Sequence, residues 1–130
     1  MKKKIIRLWL TLRHQIFGWR YRQLMIEHVH GVPLIVLPQV FNPVLFRSGE
    51  FLAHSVESSP LLNQDDYQTR LVLDLGCGSG IGAVFSALRG ARVVAVDINP
   101  EAIRCVRLNA ILNNVDDRIE PRFGDLFEPV

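Results

Sequence analysis

The stretch "DLGCGSG", residues 74–80, sets a carboxylate two residues before the first of three glycines spaced at every second position. Glycine gives up more backbone entropy on folding than any other residue. A run of three is therefore kept where the chain must turn at positive φ or let another molecule touch the main chain. Two more acids follow: Asp97, 21 residues after Gly76, and Asp125. A carboxylate at that interval beyond a glycine loop is placed to accept hydrogen bonds from both hydroxyls of a ribose. The chemistry implied is recognition of a nucleoside-containing molecule.

The flanking residues supply elements that would hold these groups. Leu71–Leu75 is a short apolar run and reads as a buried parallel strand. Ile81, Val84, Phe85 and Leu88 have helical spacing, with Gly90 as the stop. Arg92–Val96 reads as a second strand ending at Asp97, and Asn99-Pro100 as an N-cap followed by proline at the first helical position. That helix runs to about Leu112, where Asn113-Asn114 closes it, and Ile119–Phe123 is a third strand before Asp125. The order strand, helix, strand, helix, strand is half of an α/β doubly wound parallel sheet, which binds ligands at the carboxyl ends of its strands. Right-handed crossovers bring the glycine loop and Asp97 to the same crevice.

The loop also discriminates among nucleotides. A dinucleotide fingerprint needs G-x-G-x-x-G, but Ile81 occupies its last position and Gly80 comes one residue early. Asp74 would repel a pyrophosphate, and no lysine follows the glycines as a phosphate loop requires. A carboxylate suits the amino group and sulfonium of S-adenosyl-L-methionine, which is preferred over NAD and ATP.

The whole chain has 130 residues, 48% hydrophobic and 22% charged, which fits one globular domain with its own core and excludes global disorder. Charge is uneven. Residues 1–30 carry seven Lys or Arg against Glu27, a net +6, leaving −4 for the rest of a +2 chain. Such a front suits a nucleic acid, a membrane surface or an acidic protein, or it serves only as a solubilising helix surface. Ile5, Ile6, Leu8, Trp9, Leu10, Leu12, Ile16 and Phe17 share one side of an amphipathic helix, whose expected use is packing on its own domain. Arg7 and Arg13 interrupt the apolar run and no cleavage site follows, which argues against a secretory signal. Membrane association is not expected. Cys77 and Cys105 have neither metal nor disulfide spacing, so a reduced, cytoplasmic protein is the simplest reading. Residues 20–30 read equally as helix or strand, "GVPLIVLPQVF" as short extended segments, and "SGEFLAHSV" as a helix with Ser48 as N-cap.

The segment "VLDLGCGSGIGAVFSALRGARVVAVDINPEAIRCVRLNAILNNV" resembles the cofactor half of a class I S-adenosylmethionine-dependent methyltransferase, and with "GDLF" the likeness spans about residues 71–126. Within that class it is similar to the release-factor glutamine methyltransferase and related small-methyltransferase group. The upstream "GVPLIVLPQVFNPVLFRSGEFLA" resembles that group's hairpin, proline and cofactor-covering helix. The resemblance implies a Rossmann-like domain at 61–130 preceded by a basic helix and covering segment at 1–60. It implies that Asp74, Gly76, Cys77, Gly78 and Gly80 surround the methionine moiety and that Asp97 holds the ribose hydroxyls. Ile98 would pack on the adenine, Asp125 would accept from its amino group, and Leu126 would lie beside the ring. Phe46, Ser48, Gly49 and Glu50 would cover the cofactor. Plainer roles compete: Asp74 as a helix cap, Asp97 as a loop acid, Asp125 as a turn residue, Cys77 as a small spacer. The four histidines have no partner spacing and are assigned no chemistry.

The implied activity is methylation of a nitrogen in a protein, nucleic acid or small molecule, by direct displacement at the methyl carbon. The alternative is a non-catalytic nucleoside-binding or partner-binding module. The N-P-P-[YF] motif of amide and exocyclic-nitrogen methyltransferases does not occur after the glycine loop. Asn42-Pro43, beside Phe41, is a weak and misplaced substitute. In the strand order 3-2-1-4 the strand at 71–75 would keep one edge open. A C-terminal half or a partner chain is therefore expected to complete the sheet, and activity of these 130 residues alone is left open.

Overall fold

The computed structural model describes residue 18 and residues 22–45, 47–62 and 70–129. The expected basic amphipathic helix with Trp9, most of the polar connection before residue 70, and Phe46 lie outside the described residues.

Two strands, β1 (Met25–Val29) and β2 (Val32–Val36), form an antiparallel hairpin. Of the ambiguous stretch 20–30, Met25–Val29 is strand. Its tip, His30-Gly31, has positive φ at both positions (46° and 80°), the two-residue turn whose twist suits hairpin strands. Helix α1 spans Ser48–Glu57 and is followed by a 3-10 turn at Pro60–Leu62. Then come β3 (Leu71–Leu75), α2 (Ile81–Leu88), β4 (Arg92–Asp97), α3 (Pro100–Leu112) and β5 (Ile119–Phe123). The last three strands form a parallel sheet in the order β3-β4-β5.

Helices α2 and α3 meet one face of this sheet. Val72, Val93, Ala95 and Ile119 of the strands share a core with Val84, Phe85, Ile103 and Val106 of the helices. The hairpin adds Val29 and Leu34 to the same core and α1 adds Ala53, so the N-terminal segment packs over the helix layer. Among the described residues no helix is long and apolar enough to cross a membrane.

Two local expectations are corrected. Ser48 is the first residue of α1, not its N-cap; the cap position is Arg47, in the left-handed region (φ 55°) with no side-chain cap bond. The cause is a tight reversal before the helix. Gly49 donates to the Pro43 carbonyl (3.3 Å), and a Cβ on Gly49 would fall 2.3 Å from the Pro43 Cβ. Second, β3 is not a buried strand. It pairs only with β4 among the described residues, and Leu71 and Leu73 are 72% and 39% exposed on the sheet face away from the helices. The free edge is the one expected from the strand order 3-2-1-4; an apolar run states that a strand can be buried on both faces, not that both faces are covered.

The start of α3 follows its sequence signals. The Asn99 side chain accepts from the Glu101 N–H (3.0 Å), Pro100 occupies the first turn, and the Asn99 amide also donates to the Gln39 carbonyl (2.9 Å). Asn99→Ala removes the cap and this tie to the hairpin's exit. Urea denaturation should show a loss of about 1 kcal/mol or somewhat more; an unchanged midpoint would mean that the cap contributes nothing.

Candidate functional site

The glycine loop leaves β3 and folds over the carboxyl end of β4. Gly76 and Cys77 both donate to the Val96 carbonyl (2.8 and 3.0 Å), and Gly80 donates to the Cys77 carbonyl (2.8 Å). All three glycines have positive φ: 69° at Gly76, 53° at Gly78 and 82° at Gly80. They serve two purposes. A Cβ on Gly80 would come 2.8 Å from Val106 Cγ2, so this glycine allows the loop to approach α3 closely. A Cβ on Gly76 or Gly78 would meet nothing within 4 Å. There the backbone conformation requires glycine and the space above it is open.

Asp97 closes the loop from the next strand. Its Oδ2 accepts from the Gly78 N–H (2.8 Å) and its Oδ1 from the Asn99 N–H (2.8 Å). Each oxygen keeps a second lone pair, so the carboxylate is fixed in orientation and can still accept two more hydrogen bonds. Ile98 follows it and is exposed. Beyond β5, Gly124 donates to the Asp97 carbonyl (3.1 Å), which brings the Asp125–Glu128 turn alongside. Asp125 and Leu126 are exposed there, with Leu126 at φ 44°.

Asp74, at the end of β3, lies beside the first turn of α2, where the Ala83 N–H favours its charged form. Its Oδ2 is buried without a hydrogen-bond partner and sits 3.0 Å from where a Cβ on Gly82 would be. Burial raises its pKa; the Ala83 N–H opposes this, and nearby Asp97 adds to the rise. An unpartnered carboxylate oxygen is costly to bury, and a cationic group would relieve that cost. Cys77 is buried in the loop. Desolvation, with the charges of Asp74 and Asp97, pushes its thiol far above the ordinary range, which disfavours the thiolate a nucleophile needs. Cys105 is in the core, and its thiol is also raised by burial.

The remaining candidates separate from this cluster. Gly49 is buried against Pro43, while Ser48 and Glu50 are exposed on α1. Asn42 is buried, donates to Glu27 Oε1 (2.8 Å), and accepts from the Val44 and Leu45 N–H groups (2.9 and 3.3 Å). Its amide builds the turn before α1. His30 approaches Glu57 Oε2 at 2.7 Å and packs edge-on to Phe85, a structural partnership that spacing in the sequence does not announce. Asn109, fully buried in α3, was not singled out by its sequence context, yet it reaches both the hairpin and the glycine loop. A polar residue within an apolar helical pattern, four before Asn113, is the one signal that could have found it.

A parallel sheet with a glycine loop on its first strand, a braced acid on its second and an acidic environment fits a cationic nucleoside cofactor. This is the arrangement of a class I S-adenosylmethionine-dependent methyltransferase with a Rossmann-like fold. A family model described as ribosomal protein L11 methyltransferase (PrmA) matches residues 56–127, and the chain belongs to that family. A relative from Methanocaldococcus jannaschii, named for protein N5-glutamine methyltransferase activity, is 37% identical over 109 residues, 82% of this chain and 48% of that protein. The ribosomal protein L11 methyltransferase of Psychrobacter arcticus is 45% identical over 60 residues, 45% of this chain and 20% of that protein. Among solved structures, the M. jannaschii tRNA m1G37 methyltransferase superposes with a TM-score of 0.65 at 26% identity, covering 82% of this chain and 32% of that one. The Pyrococcus abyssi tRNA (uracil-54, C5)-methyltransferase, in complex with S-adenosyl-L-homocysteine, gives 0.62 at 25% identity, covering 78% and 24%. The chain thus spans about half or less of the length of these relatives.

Asp74 yields a prediction with a definite sign. In the free protein its folded-state pKa is raised, so the folded state holds this proton more tightly than the unfolded state. The group's contribution to stability is therefore lost as pH rises from the ordinary carboxylate range through the raised value. Asp74→Asn keeps the side chain's shape and removes the buried charge. The variant should match or exceed the parent in urea resistance at pH 8 and lack this component of the pH slope. Clear destabilisation at pH 8 would show that the carboxylate is satisfied in solution.

Proposed function

We propose that this chain forms the cofactor-binding portion of a methyltransferase that modifies a nitrogen in a protein or nucleic acid. The observation that carries this reading is the Asp97–Gly78 clasp beside the open backbone of Gly76 and Gly78. S-adenosylmethionine, when bound, supplies a methyl group on a cationic sulfur for direct displacement by the acceptor. Asp97 would take the ribose hydroxyls on its spare lone pairs. Gly76, Cys77, Gly78 and Gly80 would line the methionine moiety with main chain. Asp74 would offer its unpartnered oxygen to the amino group, and its charge and that of Asp97 would favour the sulfonium. Ile98 and Leu126 would flank the adenine, with Asp125 accepting from the exocyclic amine.

The segment up to residue 60 is read as the part that covers the cofactor, and 61–130 as the part that binds it. Positioning and exclusion of water account for most of the rate in a displacement of this kind, so no general base is assigned. The acceptor classes rest on the relatives, whose names specify proteins and tRNA. Residues that select the acceptor, and a further strand beside β3 from a C-terminal half or partner chain, belong to this reading as well. Two unpaired, buried cysteines support a cytoplasmic location.

Calorimetric titration tests the reading. S-adenosylhomocysteine should bind and NAD should not; tighter binding of NAD would overturn it. Asp97→Ala should weaken S-adenosylhomocysteine by about 1.5–3 kcal/mol, the range for hydrogen bonds to a charged group. An unchanged affinity would move the ribose away from β4.

A further inference from the structure

Asn109 lies in the last turn of α3 with its side chain completely buried. A primary amide can donate two hydrogen bonds and accept two, and here it is used on two separate elements. Its Oδ1 accepts from the Ile35 N–H (2.6 Å), while its Nδ2 donates to the Ile35 carbonyl (2.7 Å) and to the Ser79 carbonyl (2.8 Å). The first two bonds treat Ile35 as a neighbouring strand would. In the β1-β2 register Ile35 and Pro33 face away from β1, so their outer edge needs partners from elsewhere. Asn113 Nδ2 supplies one more, to the Pro33 carbonyl (2.9 Å). Proline at position 33 leaves no unpaired N–H on that edge. One buried amide thus pairs with the hairpin and fixes a carbonyl inside the glycine loop, 44 residues further along the chain from Ile35.

We propose that Asn109 is a positioning residue that couples the β1-β2 hairpin to the glycine loop and so sets the loop's fit to the amino-acid end of the cofactor. The inference rests on the cofactor reading above, but the coupling can be measured without a ligand. Ser79 and Gly80 connect the open part of the loop to α2, and Gly80 lies against Val106 with no room for a side chain. The loop therefore has one rigid boundary at α3 and one adjustable anchor at the Ser79 carbonyl. Releasing that anchor lets the loop relax away from Gly78. The nucleoside end is held separately, because Asp97 is also fixed by the Asn99 N–H.

Two variants approach the coupling from opposite sides. Asn109→Asp keeps the acceptor for Ile35 and turns the donor into an oxygen facing two carbonyls. Ile35→Pro removes the Ile35 N–H at an outward-facing edge position and leaves the loop sequence untouched. Affinities for S-adenosylhomocysteine and for adenosine are measured by calorimetry on the full chain, with native-state amide exchange at Gly76, Cys77 and Gly80. In each variant that folds, S-adenosylhomocysteine should weaken about 2- to 30-fold, the span of couplings through packed networks, with adenosine affected less. Exchange at Gly80 should quicken in Ile35→Pro although no loop residue has changed. Equal losses for both ligands, or unchanged affinity, would reduce Asn109 to a structural role and overturn the proposal. If Asn109→Asp does not fold, Ile35→Pro decides alone. If the parent chain binds no S-adenosylhomocysteine, the cofactor reading fails, and unchanged Gly80 exchange in Ile35→Pro would then refute the coupling independently.

Discussion

One carboxylate, that of Asp97, joins the end of β4 to the two segments that cross it. It holds the Gly78 amide on one oxygen and the Asn99 amide on the other. The constraint behind it is geometric. A loop with three positive-φ glycines has few side chains of its own to stabilise it, so its conformation must be imposed by neighbours. Val96 supplies a carbonyl for two loop amides, Asp97 supplies an acceptor for a third, and α3 limits the approach at Gly80. A hydrogen bond to a charged group contributes roughly 1.5–3 kcal/mol, enough to favour one loop conformation over its competitors.

The rest of the molecule supports that arrangement. The hairpin and α1 share one apolar core with α2, α3 and one sheet face. The polar groups buried alongside that core connect elements rather than sitting idle: Asn42 fixes the turn before α1, and Asn109 pairs β2 with the loop. Asp74 is the exception among the described residues, with its Oδ2 buried without a partner. A site that keeps part of its polar capacity unused in the free protein is poised to spend it on a ligand.

Much of this was legible in the sequence because the signals are local. Asn99-Pro100, Gly90, Asn113-Asn114 and the apolar spacing of α2 each depend on residues a few positions apart, and the strand-helix order followed from them. The position of Asp97 could be read because a parallel strand's end is fixed by its crossover. What escaped depends on contacts between distant segments. Asn109 meets Ile35 across 74 residues, and nothing near Asn109 reports that partner. The left-handed Arg47 follows from Pro43 packing on Gly49, which no capping rule contains. The open edge of β3 followed from the strand order, but the exposure of Leu71 and Leu73 did not follow from an apolar run, whose composition is the same whether or not its outer face is covered.

The central claim is that the carboxyl ends of β3, β4 and β5 form one binding surface for an S-adenosyl nucleoside. Amide chemical-shift mapping during titration with S-adenosylhomocysteine tests it most directly. The account predicts saturable shifts at Gly76, Gly78, Ile98, Asp125 and Leu126, with the far ends of the same strands at Val72, Val93 and Ile119 unmoved. Shifts confined to those far ends, or none at saturating ligand, would contradict it.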